Sequence, residues 1–226
     1  MILRRPPGAF CLYVLAHGAG AGMRHPFLEA LADALAEEKV ATLRYEFPYM
    51  ESARKRIDPP AVLHARVRKA VAAAAAERLP LLAGGKSMGG RMTSQAQAIE
   101  PLPGVRGVAF VGFPLHPAGR RGTERAAHLR DVRLPMLFLQ GTRDDLADLD
   151  LIRSVVAGLA QATLHVVEDA DHSFHVRKKS GRGDPDVLVE LARTLAQWAR
   201  SVVGLAAATR PRTVAPAGTC PPGRRR

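Results

Sequence analysis

The chain has 226 residues, 47% of them hydrophobic, which is enough for one domain with a full buried core. Its apolar stretches are far shorter than the roughly 20 residues that a bilayer span needs, so we expect no membrane segment. The formal net charge of +12 would suit a nucleic-acid-binding protein. However, part of that charge lies in a C-terminal stretch without acidic residues, and the other basic residues are scattered among acids with few aromatics beside them. We therefore expect no nucleic-acid partner.

The two cysteines, Cys11 and Cys220, are too few for a disulfide framework and predict a reducing, cytoplasmic location. An apolar run of about seven residues follows Arg4 and Arg5, which superficially resembles the start of a signal peptide. We interpret this run as a strand, because it leads directly into the glycine-rich residues 17–22, where signal-peptide cleavage would remove residues with a possible catalytic role.

Apolar runs and helical patterns alternate along the chain. The runs predict strands at residues 10–16, 40–45, 79–83, 105–111, 136–140 and 163–167. The patterns between and after them predict helices at residues 26–38, 60–77, 88–99, 149–160 and 186–203. Near-continuous apolar strands are typical of a sheet that is covered on both faces. The alternation therefore predicts an α/β protein whose mostly parallel sheet has about six strands and helices on both faces.

Two segments lack such a pattern. Residues 112–131 are rich in proline, glycine and arginine, and we expect either a surface loop or a small lid. Residues 204–226 contain mainly Ala, Pro, Gly, Thr and Arg without periodicity, which predicts a disordered tail. The predicted folded domain is therefore residues 1–203, and the sequence makes no prediction of an oligomeric state.

The sequence Gly-Lys-Ser-Met-Gly at residues 85–89 stands between a predicted strand and a predicted helix. A sharp turn from strand to helix strains its central residue, and glycines two places before and after it leave room for that turn. The pattern predicts a nucleophile elbow with Ser87 exposed at its tip. A serine between glycines also occurs in ordinary turns, so the choice depends on the other motifs.

Two residues that follow later strands could activate Ser87. A serine hydroxyl needs a histidine base, and that histidine needs a carboxylate to orient it. Asp144 follows the predicted strand 136–140 and His172 follows the strand 163–167, so both lie at the carboxyl edge of the sheet, as Ser87 does. We predict Ser87 as nucleophile, His172 as base and Asp144 as acid, with Asp145 and Asp171 as alternatives for the acid.

The glycine-rich residues 17–22 follow the first predicted strand. Acyl transfer needs hydrogen-bond donors at the developing oxyanion, and a glycine-rich loop lets backbone N–H groups approach a substrate closely. We assign the donors to the backbones of Ala19 and Met88, with Gly20 as the alternative to Ala19, and expect His17 to orient this loop. Neither glycine-rich stretch has the spacing of a nucleotide-binding motif, so we predict no cofactor and no metal.

Six motifs in chain order resemble those of a known family. They are His17-Gly18-Ala19-Gly20, Arg44-Tyr45-Glu46-Phe47-Pro48-Tyr49-Met50, Gly85-Lys86-Ser87-Met88-Gly89-Gly90-Arg91, Gly112-Phe113-Pro114-Leu115-His116-Pro117, Gln140-Gly141-Thr142-Arg143-Asp144 and Ala170-Asp171-His172-Ser173-Phe174. The chain resembles the α/β-hydrolase fold, and specifically the small domain shared by testis-expressed protein 30, KAT8 regulatory NSL complex subunit 3 and bacterial dienelactone-hydrolase-like relatives. The resemblance implies the same roles for Ser87, Asp144 and His172.

The chain also departs from larger α/β hydrolases. Only nine residues precede the first predicted strand, so we expect the leading antiparallel hairpin to be missing. No large cap domain fits between the strands, so we expect a shallow, open site with Tyr49, Met50 and residues 113–117 at its rim. The expected substrate contacts are His17, Tyr49, Arg91 and Phe113.

The sequence thus predicts a serine hydrolase that acts on a small-molecule acyl substrate: an ester, a thioester or a lactone. The basic residues near the site could favour an anionic substrate, or they could be exposed charges that keep the protein soluble. The alternative function is a catalytically silent interaction module, because the eukaryotic relatives include a component of a chromatin-modifying assembly and a fold alone does not fix a function.

Overall fold

The computed structural model describes residues 1–205, and these residues form one seven-stranded sheet flanked by helices. The strands are β1 (Ile2–Arg4), β2 (Cys11–Ala16), β3 (Val40–Tyr45), β4 (Leu81–Lys86), β5 (Val105–Val111), β6 (Met136–Gly141) and β7 (Ala162–Val167). The helices are α1 (Pro26–Glu37), α2 (Pro48–Glu51), α3 (Pro60–Ala74), α4 (Met88–Ile99), α5 (Leu149–Ala157) and α6 (Asp184–Val202). Most of the predicted tail lies outside the described residues.

The strands lie in the order β1-β3-β2-β4-β5-β6-β7, and β2 to β7 are parallel to one another. The predicted α/β class with a mostly parallel sheet is therefore confirmed. Parallel strands end at the same edge, so the loops after β2, β4, β6 and β7 meet there. The chain crosses from β3 past β2 to β4, which creates the change of direction where open α/β sheets hold their sites.

Two apolar layers cover the sheet. On one face, Leu31 of α1 and Leu195 of α6 belong to a cluster with alternate residues of β2 and β5. On the other face, α3 and α4 pack over β2, β3 and β4, and α5 packs over β5 and β6. Because successive side chains of a strand point to opposite faces, a continuously apolar strand contributes side chains to both apolar layers.

The sequence analysis did not predict β1, which forms no hairpin with β2 because these two strands are not neighbours in the sheet. β1 pairs antiparallel with β3, so that Ile2 lies opposite Arg44. This strand has only three residues and two of them are exposed, because β1 forms an edge of the sheet. A short exposed edge strand carries no apolar run, and the hydrophobic pattern therefore could not reveal it.

The strand before the elbow also runs further than predicted. It was expected to end at residue 83, but β4 continues through both following glycines to Lys86. A side chain at Gly84 would collide with the backbone of Ala109, and one at Gly85 with the backbone of Ala16. These glycines are therefore strand residues at close backbone contacts rather than the start of a loop.

Residues 112–131 fold onto the body of the protein. They are irregular except for a 3-10 helix at Glu124–Asp131, which packs against α4 and buries Leu129. No separate cap domain interrupts the sheet anywhere in residues 1–205. Within the same residues, no helix is both long and apolar enough to cross a bilayer.

Candidate active site

Ser87 lies at a sharp turn between β4 and α4. Its backbone has φ +50° and ψ −119°, a left-handed conformation that costs a non-glycine residue about 1–3 kcal/mol. Gly89 makes this turn possible, because a Cβ there would lie 2.5 Å from the carbonyl oxygen of His17. The close packing of α4 against the end of β2 thus fixes the turn and directs Ser87 to the carboxyl edge of the sheet.

Three predicted residues form one chain of hydrogen bonds at this edge. Nε2 of His172 is 2.9 Å from Oγ of Ser87, and Nδ1 of His172 is 2.7 Å from Oδ2 of Asp144. The Asp144 carboxylate is buried, and the imidazole is partly exposed. A carboxylate at Nδ1 favours the tautomer that leaves Nε2 free to accept the serine proton. The arrangement therefore has the order that nucleophilic catalysis by a serine needs.

The structure separates the candidates for the acid. Oδ1 of Asp144 accepts the backbone N–H of Leu146 at 2.8 Å, so both carboxylate oxygens have partners. Asp145 is exposed and forms no bond to His172 within the described residues. Asp171 points away, and its Oδ1 instead accepts the backbone N–H groups of Ser173 and His175.

Gln140 supports the acid and has no role in the sequence analysis. Its Nε2 donates to Oδ2 of Asp144, and its Oε1 accepts the backbone N–H of Phe113 at 3.0 Å. The side chain is completely buried. A polar residue at the end of an otherwise apolar strand was the only signal for it, because a buried amide needs partners on both of its ends.

The loop after β2 contains Ala19 and Gly20, the two candidates for a backbone donor on this side of the site. The N–H of Gly20 donates to Oη of Tyr49 at 3.2 Å, so the alternative donor is already engaged. The N–H of Ala19 has no acceptor among the described residues. Met88 is the first residue of α4, and its N–H therefore has no acceptor within the helix. Ala19 and Met88 thus remain the two candidates for an oxyanion hole.

His17 holds that loop from inside the protein. Its Nε2 accepts the backbone N–H of Phe47 at 3.0 Å, and its Nδ1 lies 2.7 Å from the carbonyl oxygen of Gly18. Since Nε2 accepts, the proton belongs on Nδ1, which donates to that carbonyl. Burial lowers the pKa of His17, which favours this neutral form. The bond fixes the peptide plane between Gly18 and Ala19, and hence the direction of the Ala19 N–H.

The side chains expected to contact substrate lie elsewhere. His17, Tyr49 and Phe113 are each at most 1% exposed, and Arg91 is half-buried on α4 near Arg125. None of the four lines the cleft above Ser87. Phe113 packs in the aromatic core instead, against Phe110 and Phe138. The sequence alone could not show whether an aromatic residue in a loop, such as Phe113, packs in the core or lies at the rim of the site.

The cleft above Ser87 has a volume of about 290 Å³. Its apolar side comes from Phe27 and Leu28 of α1 and from Leu146, and its polar side from Lys86 and His172. The sequence analysis missed α1 as a wall, because the apolar face of an amphipathic helix is typical of core packing. Among the described residues, no group of three or more metal-ligating side chains occurs.

Comparison with known families shows which family this chain belongs to. The family described as alpha/beta hydrolase domain matches residues 10–200 of this chain. The chain belongs to the alpha/beta hydrolase family. This α/β hydrolase has no large cap domain within residues 1–205.

Solved structures support the same fold. A dienelactone hydrolase from Anabaena variabilis is 22% identical, with 87% of this chain and 88% of that chain covered and a TM-score of 0.65. An α/β serine hydrolase without a lid from Xanthomonas campestris is 21% identical, with 87% of each chain covered and a TM-score of 0.66. Est1E from Butyrivibrio proteoclasticus, solved with ferulic acid, is 16% identical, with 88% and 94% covered and a TM-score of 0.64.

Proposed function

We propose that this α/β hydrolase is a serine hydrolase that cleaves a carboxylic ester, a thioester or a lactone through an acyl-enzyme intermediate. The observation that carries the proposal is the hydrogen-bonded chain from Ser87 through His172 to the buried Asp144, with its first bond at 2.9 Å and its second at 2.7 Å. These distances lie within the range in which a base accepts a proton from a nucleophile.

The first half of the reaction forms the acyl-enzyme. Oγ of Ser87 attacks the acyl carbon while Nε2 of His172 takes its proton, and the carbonyl oxygen becomes an oxyanion. The N–H groups of Ala19 and Met88 donate to that oxyanion. The intermediate then collapses, the bond to the leaving oxygen or sulfur breaks, and His172 gives its proton to the leaving group. The Asp144 carboxylate stabilises the imidazolium between these two transfers.

The second half releases the acid. A water molecule attacks the ester carbon on Ser87 while His172 takes one of its protons, and the oxyanion forms again at the same donors. Collapse breaks the bond to Oγ, which recovers the proton from His172. For a lactone, the leaving hydroxyl stays attached to the acyl group, so the product is a single hydroxy acid.

The shape of the cleft supports a small acyl substrate. Phe27, Leu28 and Leu146 offer an apolar wall beside Ser87, and no cap domain within the described residues covers the opening. The names of two solved relatives, a dienelactone hydrolase and an enzyme bound to ferulic acid, agree with small carboxylic esters or lactones. Two basic residues close to Ser87 and His172 in the sequence differ in their access to a substrate: Lys86 lines the cleft, whereas Arg143 donates to the carbonyl of Asp169.

Two narrower assignments form part of the same proposal. The six motifs support kinship with the small domain of testis-expressed protein 30 and KAT8 regulatory NSL complex subunit 3. The low cysteine content supports a cytoplasmic setting, and Cys11 is buried as a free thiol whose pKa burial raises to about 12.

Replacement of Ser87 by alanine tests the function. The variant S87A should lose at least about 10³-fold in kcat on small activated esters, because the nucleophile is gone. The matched control is S94A, which removes the hydroxyl of the buried Ser94 in α4 and should keep kcat within about twofold of wild type. Equal rates of hydrolysis for S87A and wild type would reject Ser87 as the nucleophile, whereas a wild-type protein that hydrolyses no ester would favour the interaction module.

A further inference from the structure

Lys86 precedes the proposed nucleophile and contacts the loop that carries the proposed base. Its Nζ donates to the backbone carbonyl of His172 at 2.6 Å and lies 5.6 Å from the centre of the Phe174 ring. The next residue, Ser87, contacts the imidazole of the same histidine. Two successive residues of the elbow therefore hold His172 at two points, one by its backbone and the other by its ring.

The loop that carries His172 has an unusual backbone. Asp169 and Phe174 have φ values of +59° and +64°, a region that is unfavourable for residues other than glycine. A conformation of this kind persists only when surrounding contacts enforce it. Ala170 pairs with Val176 within the loop, and Arg143 donates to the Asp169 carbonyl from the end of β6. The Lys86 ammonium is the contact that joins this loop to the end of β4.

The protein leaves room for this ammonium beside the imidazole. Gly112 has φ +70°, and a Cβ there would lie 3.2 Å from Nζ of Lys86 and 3.5 Å from Cε1 of His172. Burial lowers the pKa of Lys86 to about 8, although the negative charges of the nearby Asp144 and Asp171 oppose that shift. The ammonium thus lies among groups of the proposed site, and the lysine remains partly exposed at the cleft.

We propose that Lys86 is a positioning residue, which holds the His172 ring where it can exchange a proton with Ser87. The proposal rests on the hydrolytic function proposed above. The protonated amine makes the stronger, charge-assisted bond to the carbonyl, so the hold weakens when Lys86 loses its proton. A displacement of about 1 Å in a catalytic group can cost about 10²-fold in rate, so a lost backbone anchor should affect turnover more than binding.

Variants at Lys86 test this role in the full chain. K86M keeps an unbranched side chain of nearly the same length but removes the donor, and kcat on an activated ester should fall about 10- to 100-fold with KM within about twofold. K86R restores the charge and should recover part of the loss. The control is K179M, which removes an exposed lysine from a neighbouring segment and should match wild type. A K86M enzyme with the kcat of wild type would overturn the proposal.

The pH dependence gives a readout that a merely structural role would not move. As the pH rises through about 8, wild-type kcat should decline because Lys86 loses its proton. The K86R guanidinium stays protonated, so its kcat should remain constant over the same range. A decline of K86R at the same pH as wild type would contradict the role of the Lys86 charge.

Hydrogen–deuterium exchange tests the anchor without turnover. In K86M, the backbone amides of residues 169–176 should exchange at least about tenfold faster than in wild type, while those of α6 should not change. Unchanged exchange in residues 169–176 would overturn the proposal. If the wild-type protein hydrolyses no ester, the proposed function fails, and the exchange comparison alone then decides whether Lys86 holds this loop.

Discussion

Two serine–histidine pairs within residues 1–205 have almost the same spacing and very different surroundings. Oγ of Ser87 is 2.9 Å from Nε2 of His172, and Oγ of Ser94 is 2.8 Å from Nε2 of His128. Both serines lie at or in α4, seven residues apart. A single distance therefore cannot distinguish a nucleophile from a buried polar contact, and the difference must come from what surrounds each pair.

Three features separate the pairs. Ser87 lines a cleft, whereas Ser94 is completely buried within α4. A carboxylate lies at Nδ1 of His172, but His128 has no hydrogen-bonded carboxylate among the described residues. The Ser94 hydroxyl also has a carbonyl acceptor, that of Arg91, at 3.0 Å.

The two histidines also differ in the proton chemistry that they support. Burial, and secondarily the nearby Arg91, lower the pKa of His128 to about 4, so this ring resists taking up a proton. A general base must accept one during each turnover, and in the proposed mechanism the buried Asp144 stabilises the imidazolium of His172 while it does so. Access, a carboxylate partner and the proposed oxyanion donors therefore distinguish the candidate site, and serine–histidine contact alone does not.

The histidines give the largest contrast. H172A should reduce kcat on an activated ester by at least about 10³-fold, because the base is removed from the nucleophile. H128A should keep kcat within about twofold of wild type, and steady-state kinetics on both variants measures the difference. Comparable losses in the two variants would mean that the second pair also takes part in the reaction.

The carboxylates give the next contrast. D144N should lower kcat at least about 10²-fold, because the amide cannot stabilise the imidazolium or select its tautomer. D171N should reduce kcat by less than about tenfold, since its oxygen only accepts backbone N–H groups of its own loop. A larger loss in D171N than in D144N would reassign the acid.

A smaller effect is expected at the loop after β2. Y49F removes the hydroxyl that accepts the Gly20 N–H, which leaves the loop less firmly held but both proposed oxyanion donors in place. We expect kcat to fall about three- to tenfold with little change in KM. This fall is smaller than the fall in kcat that follows removal of one oxyanion-hole donor. An unchanged kcat would show that this hydrogen bond does not help to orient Ala19.

The smallest effect concerns stability. The folded-state pKa of His128 is lowered, so the unfolded chain binds its proton more readily and stability falls as the pH drops from about 6.5 towards about 4. After a discount for partial exposure, the loss between about pH 7 and pH 5 should be about 1 kcal/mol greater in wild type than in H128Q. Urea unfolding of both proteins at the two pH values measures this difference. An equal loss would contradict a buried neutral His128.

The apolar pattern of the sequence predicted most strands of the sheet. Strands β2 to β6 are largely apolar and buried because both of their faces are covered, and such runs are visible without any structure. The edge strand β1 was missed because only pairing with β3 defines it. The end of β4 was missed because glycine favours a loop locally, whereas here close contacts with neighbouring strands require it.

In the candidate site, too, the sequence indicated some residues and missed others. Ser87, Asp144 and His172 could be predicted because a residue type follows each strand at the same edge of the sheet. The roles of Gln140, Lys86 and α1 depend on side-chain directions and on packing between distant segments, which a pattern along the chain does not contain. For the same reason, Tyr49 and Phe113 were expected at the rim and lie in the core.

A fluorophosphonate probe tests the central claim most directly, because it reports an activated serine without knowledge of the substrate. The folded wild-type protein should form one adduct, which peptide mass spectrometry should locate at Ser87 and not at Ser94. S87A should form none, and S94A should react as wild type does. An adduct at Ser94, or no adduct at Ser87 in folded protein, would contradict the conclusion that the surroundings of Ser87 make it the nucleophile.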